Sequence, residues 1–200
     1  MACGFELEPC VTAAKALYRD WMAHPDTNVI DPDVKGVVYC YGVSSGGYDE
    51  WNFAFKMYEK VVDIEERESL IKALTCTKHP WIINILLSES KSDISLFSYV
   101  LSLLSVNPIG RSVAWNYYRA NYDHRISSFS SSGYSIEQLT SYFNTEMELS
   151  EVSNFLAAHI TELDITRSDI DNILSKIRFN IKWTKANINP IQTWLGHLTN

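Results

Sequence analysis

Apolar residues recur along most of the chain with the period of an α-helix. Segments 149–160 and 170–181 follow this spacing, and residues 94–104 are apolar on several faces, which predicts an inner, buried helix. The clearest example is the set spaced i, i+3, i+4, i+7 and i+11, formed by Trp51, Ala54, Phe55, Tyr58 and Val62. The whole pattern predicts about ten or eleven helices joined by short turns.

Prolines and capping residues mark where these helices are predicted to begin. Prolines precede apolar stretches at positions where a missing N–H costs a helix nothing: Pro9, Pro32, Pro80, Pro108 and Pro190. Three polar residues before such prolines are predicted N-caps: Asp31, Asn107 and Asn189. Capping-box spacing predicts further starts at Asp63 with Glu66, Ser135 with Gln138, and Thr145 with Glu148.

The fold class follows from this series of helices. Residues 37–43 are β-branched and aromatic like a strand, but no partner strand exists to satisfy its backbone, so we predict a helix there. Helix pairs recurring about every 30–45 residues predict an all-α solenoid of antiparallel pairs, similar to HEAT or armadillo repeats. We expect one helical domain over residues 1–200, with a loose Ser-rich connection near 127–133.

The amino-acid composition and net charge limit which classes of molecule this chain is expected to bind. Hydrophobic residues make up 46% of the chain and charged residues 20%, which is typical of a soluble globular domain. The net charge of -7, without a cluster of Lys or Arg, disfavours nucleic acid and anionic membranes as partners. The longest apolar runs are too short to span a bilayer, and the first ten residues do not have the pattern of a signal peptide.

The four cysteines allow two interpretations. Cys3 and Cys10 enclose a short loop before the first predicted helix, whereas Cys40 and Cys76 lie 36 residues apart in helical segments. A disulfide that closes the longer loop would stabilise the fold by about 3–4 kcal/mol in the chain-entropy treatment. The spacing alone is equally consistent with four reduced thiols.

A series of short motifs runs through almost the whole chain. In order they are Cys3-x6-Cys10 with Trp21-Met22, Val38-Tyr39-Cys40, Gly46-Gly47-x-x-Glu50-Trp51, Ala73-Leu74-Thr75-Cys76, Asn107-Pro108-x-Gly110-Arg111, and Asn180-Ile181-Lys182-Trp183. Their order and spacing resemble the C-terminal helical domain of the aminopeptidase N-like zinc exopeptidases. The resemblance is specific because it rests on many motifs in sequence rather than on one.

The resemblance implies both a cysteine pairing and a place in a larger enzyme. The matching cysteines pair as Cys3–Cys10 and Cys40–Cys76 in membrane-bound relatives, which implies an extracytoplasmic compartment with the targeting signal outside this chain. In that family the helical domain forms a bowl over the zinc cleft, restricts entry to peptides, and in several relatives supplies a dimer contact.

The sequence predicts no catalytic or metal-binding residue in this chain. The family's zinc site needs His-Glu-x-x-His, because histidines four apart on a helix bind the metal and the glutamate activates water. None of the five histidines is followed by Glu, and no two lie four apart. The Gly-x-Met-Glu-Asn segment is also missing. We therefore expect no cofactor here, with zinc in the catalytic domain of the parent enzyme.

Arg111, Trp115 and Arg119 are candidates for a peptide groove on one predicted helix. Arginines there could meet a peptide carboxylate, and the indole could contact a peptide side chain. The alternative is a core position for Trp115 and solvated helix-face charge for the arginines.

The leading hypothesis is a non-catalytic domain that contacts the catalytic domain of its parent enzyme and the peptide substrates, and that contributes to a homodimer. Two alternatives are a free-standing helical-repeat module that binds a peptide or protein, and an independent enzyme that uses unrecognised residues.

Overall fold

The computed structural model describes residues 2–122, 133–163 and 165–198. Within these residues the chain forms ten α-helices, two 3-10 helices (Ala2–Phe5 and Pro32–Val34) and no strand, so the all-α prediction is confirmed. The α-helices are α1 Glu8–Ala23, α2 Lys35–Ser44, α3 Tyr48–Lys60, α4 Ile64–Leu74, α5 Pro80–Ser90, α6 Ile94–Val106, α7 Pro108–Ala120, α8 Gly133–Thr140, α9 Glu146–Ala158 and α10 Arg167–Leu198.

The chain divides into two compact units, Met1–Val113 and Ala114–Asn200, with the boundary inside α7. In the first unit α2 contacts α1, α3 and α4, and α5 contacts α6. In the second unit α10 contacts both α8 and α9. The single domain over residues 1–200 and the solenoid arrangement stay predictions. Residues 127–132 of the expected loose connection lie outside the described residues.

Most of the predicted helix starts are confirmed. Pro9 is the second residue of α1, and Pro80 and Pro108 are the first residues of α5 and α7. The side-chain oxygens of four predicted caps accept backbone N–H groups in the first turn of the following helix, because those groups have no partner inside the helix. These caps are Asp31, Asp63, Asn107 and Thr145.

Two predicted starts are wrong. Asn189 and Pro190 lie inside α10 rather than at the beginning of a separate helix. Proline has a helical φ, and although it removes one backbone donor and crowds the carbonyl four residues earlier, at this position it does not end the helix. The Ser135 start is also wrong, since α8 begins at Gly133. Serine is tolerated within a helix, so the spacing to Gln138 does not fix the first residue.

The ambiguous segment 37–43 is helical, as expected, and forms most of α2. Tyr39 and Val43 are completely buried there, and Val38 nearly so. The predicted inner helix is α6, which buries Phe97, Val100, Leu101, Leu104 and Ser105. Its remaining residues are largely half-buried, so apolar side chains on several faces correctly indicated burial.

Aromatic rings form the centre of the first unit. The Tyr18 ring meets the rings of Trp21 and Phe53 edge-on, with centroids 5.8 Å away in each case. Trp21 stacks on Tyr39 at 4.7 Å. Such edge-to-face and offset arrangements are favourable because the positive edge of one ring meets the negative face of another. The rings join α1, α2 and α3 around the Tyr18 side chain.

The second unit has an aromatic core of its own. Trp115, which is 2% exposed, contacts Phe143 edge-on at 5.9 Å and Phe155 at 5.3 Å. Ile173 and Ile177 of α10 are also buried. Burial of these side chains stabilises the second unit through the hydrophobic effect.

In each unit, an asparagine side chain forms hydrogen bonds with the turn that follows a helix. Asn107 Nδ2 donates to the carbonyls of Thr75 and Thr77, at 2.9 and 3.1 Å, after α4. Asn180 Nδ2 donates to the carbonyls of Ser141 and Phe143, at 2.8 and 3.0 Å, after α8. Carbonyls beyond a helix end lack helical partners, so these amides satisfy groups that would otherwise be costly to bury.

Among the described residues, no helix is both long enough and apolar enough to cross a bilayer.

Candidate functional site

The four cysteines form two disulfides in the first unit, in the pairs that the resemblance implies. Cys3 is bonded to Cys10 with their Cα atoms 5.2 Å apart, which ties the first 3-10 helix to α1. Cys40 is bonded to Cys76 with their Cα atoms 5.4 Å apart, which joins α2 to the turn after α4. Both separations lie in the range that an unforced disulfide requires. The bonds therefore link helices that already pack together.

A polar network beside Cys40 joins α2 to α4 a second time. Glu66 accepts hydrogen bonds from the Tyr39 hydroxyl and from Lys35 Nζ, the latter at 2.7 Å. Asn28 Nδ2 donates to the Tyr39 hydroxyl at 2.5 Å. Burial, together with the neighbouring Glu66 carboxylate, raises the pKa of Tyr39 above its usual range. The hydroxyl thus stays protonated and remains a donor to Glu66, which is the arrangement of a structural clamp.

The three predicted groove residues have different surroundings. Arg111 lies in the first unit and is half-buried, whereas Trp115 and Arg119 belong to the second. The Trp115 ring is buried against Phe143 and Phe155, so it packs as a core residue, which was the alternative interpretation of the sequence. The role of Arg111, Trp115 and Arg119 in a peptide groove stays a prediction.

The Glu151 carboxylate, which no sequence motif indicates, contacts both Trp115 and Arg119. Glu151 Oε2 accepts a hydrogen bond from Trp115 Nε1 at 3.2 Å, and Glu151 Oε1 lies 3.4 Å from Arg119 Nη2. The guanidinium of Arg119 lies over the Trp115 ring, 5.3 Å from its centroid, and donates to Asn116 Oδ1 at 2.6 Å. Because Glu151 neutralises Arg119, this arginine offers less attraction to an incoming carboxylate.

A different surface of the second unit forms an open groove of about 550 Å³ between the first turn of α9 and the middle of α10. Its walls combine three cations, one carboxylate and apolar side chains: Arg178, Lys182, Lys185, Glu146, Leu149 and Ile181. Lys185 Nζ pairs with Glu146 Oε1 at 2.7 Å. Among the described residues, Arg178 and Lys182 pair with no carboxylate. The groove therefore has a positive wall beside an apolar surface.

The apolar pattern of the chain does not reveal this groove, although part of its signal is visible in the sequence. Arg178, Lys182 and Lys185 are spaced i, i+4 and i+7, which places three cations on one face of a helix. The apolar period of segment 170–181 indicates only the buried face of this helix. The opposite wall, Glu146 and Leu149, comes from another helix, so only the folded chain brings the two walls together.

The described residues contain no group of three or more His, Cys, Asp or Glu side chains placed to hold a metal ion.

Comparison with known proteins identifies the family. The family model described as the ERAP1-like C-terminal domain matches residues 1–178, which is most of the chain. The chain belongs to the ERAP1-like C-terminal domain family. This membership confirms the resemblance inferred from the ordered motifs.

Similar proteins include several aminopeptidases. Aminopeptidase N of Bos taurus is 32% identical over 209 residues, and aminopeptidase N of Canis lupus familiaris is 31% identical over 206, each match covering 96% of this chain. Endoplasmic reticulum aminopeptidase 2 of Homo sapiens is 27% identical and covers 98% of it. Each match covers 21% of the relative, so the chain spans about a fifth of the length of the curated relatives it matches.

Proposed function

We propose that this chain is the non-catalytic C-terminal domain of a membrane-bound or secreted zinc aminopeptidase. The observation that carries the proposal is the family match over residues 1–178, together with similarity to aminopeptidases of which it represents about a fifth. Zinc and the catalytic residues would lie in the parent enzyme's catalytic domain. The two disulfides support an extracytoplasmic location, because such bonds persist in oxidising compartments.

Within the parent enzyme the domain caps the active-site cleft, controls peptide access and orientation, and contributes to a homodimer contact. Support for a scaffold role comes from the doubly fastened α2 and α4, which the Cys40–Cys76 bond and the Glu66 network hold together. A domain that controls peptide entry to the cleft has to keep its folded shape when peptides bind. A disulfide between packed helices stabilises that shape against unfolding.

Isolation of the native protein tests the proposal. An antibody raised against the 200-residue chain should recover a polypeptide about five times its length, because the chain corresponds to 21% of its relatives. The recovered material should release amino acids from aminoacyl-anilides and lose this activity with a zinc chelator. Recovery of only a 22.9 kDa species without peptidase activity would contradict the proposal and favour a free-standing binding module.

The capping role has a separate readout in the recovered enzyme. Removal of this domain should change the ratio of kcat/KM for a long peptide to kcat/KM for an aminoacyl-anilide. The reason is that the long peptide contacts the domain above the cleft, whereas the anilide is too small to reach it. Retained anilide hydrolysis shows that the catalytic domain is still folded. An unchanged ratio with retained hydrolysis would refute the capping role.

A further inference from the structure

The groove between α9 and α10 combines features that together define a ligand class. Arg178 and Lys182 lie one turn apart on α10 and pair with no carboxylate among the described residues. Both side chains are exposed, so their charges are accessible from solvent. In a chain of net charge -7, two adjacent unpaired cations provide a local attraction for anions.

The remaining lining restricts the shape of the anion. Leu149 is half-buried and Ile181 is buried, so the groove has apolar surface beside its cations. Its volume of about 550 Å³ falls in the range of sites that hold small ligands or short peptide segments. A ligand that fills it gains from apolar contact as well as from charge.

On the wall opposite Arg178 and Lys182, the Glu146 carboxylate disfavours a dense polyanion. Glu146 is held by Lys185 and neutralises that cation, so the positive charge is concentrated at Arg178 and Lys182. A sulfated or phosphorylated polymer would place further negative charge near Glu146 and would leave the apolar surface unfilled. A peptide with spaced carboxylates and apolar side chains fits both parts of the lining.

We propose that this groove binds an acidic peptide segment, with side-chain carboxylates on Arg178 and Lys182 and an apolar side chain against Leu149 and Ile181. The arginine can hold a carboxylate through two parallel N–H donors, and the lysine adds a point charge one turn away. The inference rests on the groove alone and does not depend on the proposed place of the chain in an aminopeptidase.

Fluorescence anisotropy with the oxidised 200-residue chain tests this inference. The probe is a labelled short peptide with alternating Asp and Leu and with both ends blocked, so that only side chains supply carboxylates. We expect saturable binding that weakens as salt is raised, because screening reduces attraction between exposed charges. Replacing Asp by Asn, or Leu by Ser, in the probe should weaken binding in each case.

Paired substitutions locate the site. R178Q with K182Q should weaken binding about tenfold, since two charge-assisted contacts are lost. K56Q with K60Q is the matched control, because it also removes two exposed cations one turn apart, on α3, and leaves the groove intact. Equal helical circular dichroism of both variants shows that the fold is kept. An equal loss of binding in both variants would show that net charge alone attracts the peptide, which overturns the proposal.

Two further outcomes would also overturn it. Binding that requires a free C-terminal carboxylate would mean that the groove recognises a chain end rather than an acidic segment. Displacement of the probe by inorganic phosphate or a heparin fragment at concentrations similar to those of the unlabelled peptide would mean that the apolar surface contributes nothing.

Discussion

Replacing Gly42 by alanine adds one methyl group at the point where α2 approaches α1. A Cβ placed on Gly42 would lie 2.2 Å from Cγ of Tyr18 and within 2.6 Å of both Cδ atoms of that ring. Carbon atoms in contact are ordinarily about 3.5–4.0 Å apart. The ring or one of the two helices would therefore have to move by more than an ångström.

The Tyr18 ring has no room to move aside. It is completely buried and contacts the rings of Trp21, Tyr39 and Phe53, and its hydroxyl donates to the Glu50 carbonyl at 2.8 Å. Overpacking of a filled core costs about 1–3 kcal/mol, and a contact with the base of a fixed ring belongs at the upper end. Alanine in place of glycine returns about 1 kcal/mol of helix propensity. The net prediction is a loss of about 2 kcal/mol in the free energy of unfolding.

Gly36 provides the matched control on the same helix. A Cβ there meets nothing within 4 Å, so G36A should raise the free energy of unfolding by about 0.5 kcal/mol through reduced freedom of the unfolded chain. Urea unfolding of the oxidised chain, followed by tryptophan fluorescence and circular dichroism, measures both changes. A G42A variant as stable as G36A would refute this prediction, because the close approach of α2 to Tyr18 would then impose no restriction.

Three other changes have defined outcomes. N107A should lower the free energy of unfolding by about 2–3 kcal/mol in urea titrations, since a cap and two bonds to the turn after α4 are lost; N107S, which keeps a capping oxygen, should lose less. Replacing Cys40 and Cys76 together by alanine should cost about 3–4 kcal/mol, and non-reducing peptide mapping of the unaltered chain should recover this linkage with Cys3–Cys10. Burial, with the nearby Glu50 carboxylate, raises the pKa of Tyr18 in the folded chain. The Tyr18 contribution to the free energy of unfolding should therefore be constant below the unfolded-state pKa of about 10 and decline as the pH rises above it. In Y18F, which lacks the phenol, the free energy of unfolding should decline less steeply.

Each of these expectations can fail in a recognisable way. Equal stability of N107A and N107S would mean that the cap contributes nothing. Free thiols in material from an oxidising compartment, or a cysteine variant as stable as the parent chain, would contradict the assigned role of the disulfide. Parallel pH profiles for Y18F and the parent chain would show that this phenol is not the group responsible.

Local chemistry made most of the helix pattern predictable. The apolar period of α3 and α10 and the caps at Asp63 and Thr145 depend on residues within a few positions of one another. The same local signals wrongly predicted a helix start at Pro190, because a proline restricts only the backbone close to it. Whether a helix ends there depends on the turns that follow.

The order of motifs predicted the disulfide pairing and the family. The spacing of the cysteines could not do so, because it is equally consistent with four free thiols. The environment of Trp115 could not be decided locally either. Its burial depends on Phe143 and Phe155, and Arg119 forms its ion pair with Glu151. These three partners lie 28–40 residues away in the sequence. The sequence could place these residues on helices but not beside their partners.

The chain alone determined that it forms amphipathic helices with caps at defined positions, since period and capping are properties of neighbouring residues. Tertiary structure decided which faces meet: α2 against Tyr18 at Gly42, and Glu146 and Leu149 opposite Arg178 and Lys182. A groove needs walls from separate helices, and the contacts that bring those walls together are long-range. For that reason the cations of α10 could be counted in the sequence, but their common binding surface appears only in the folded chain.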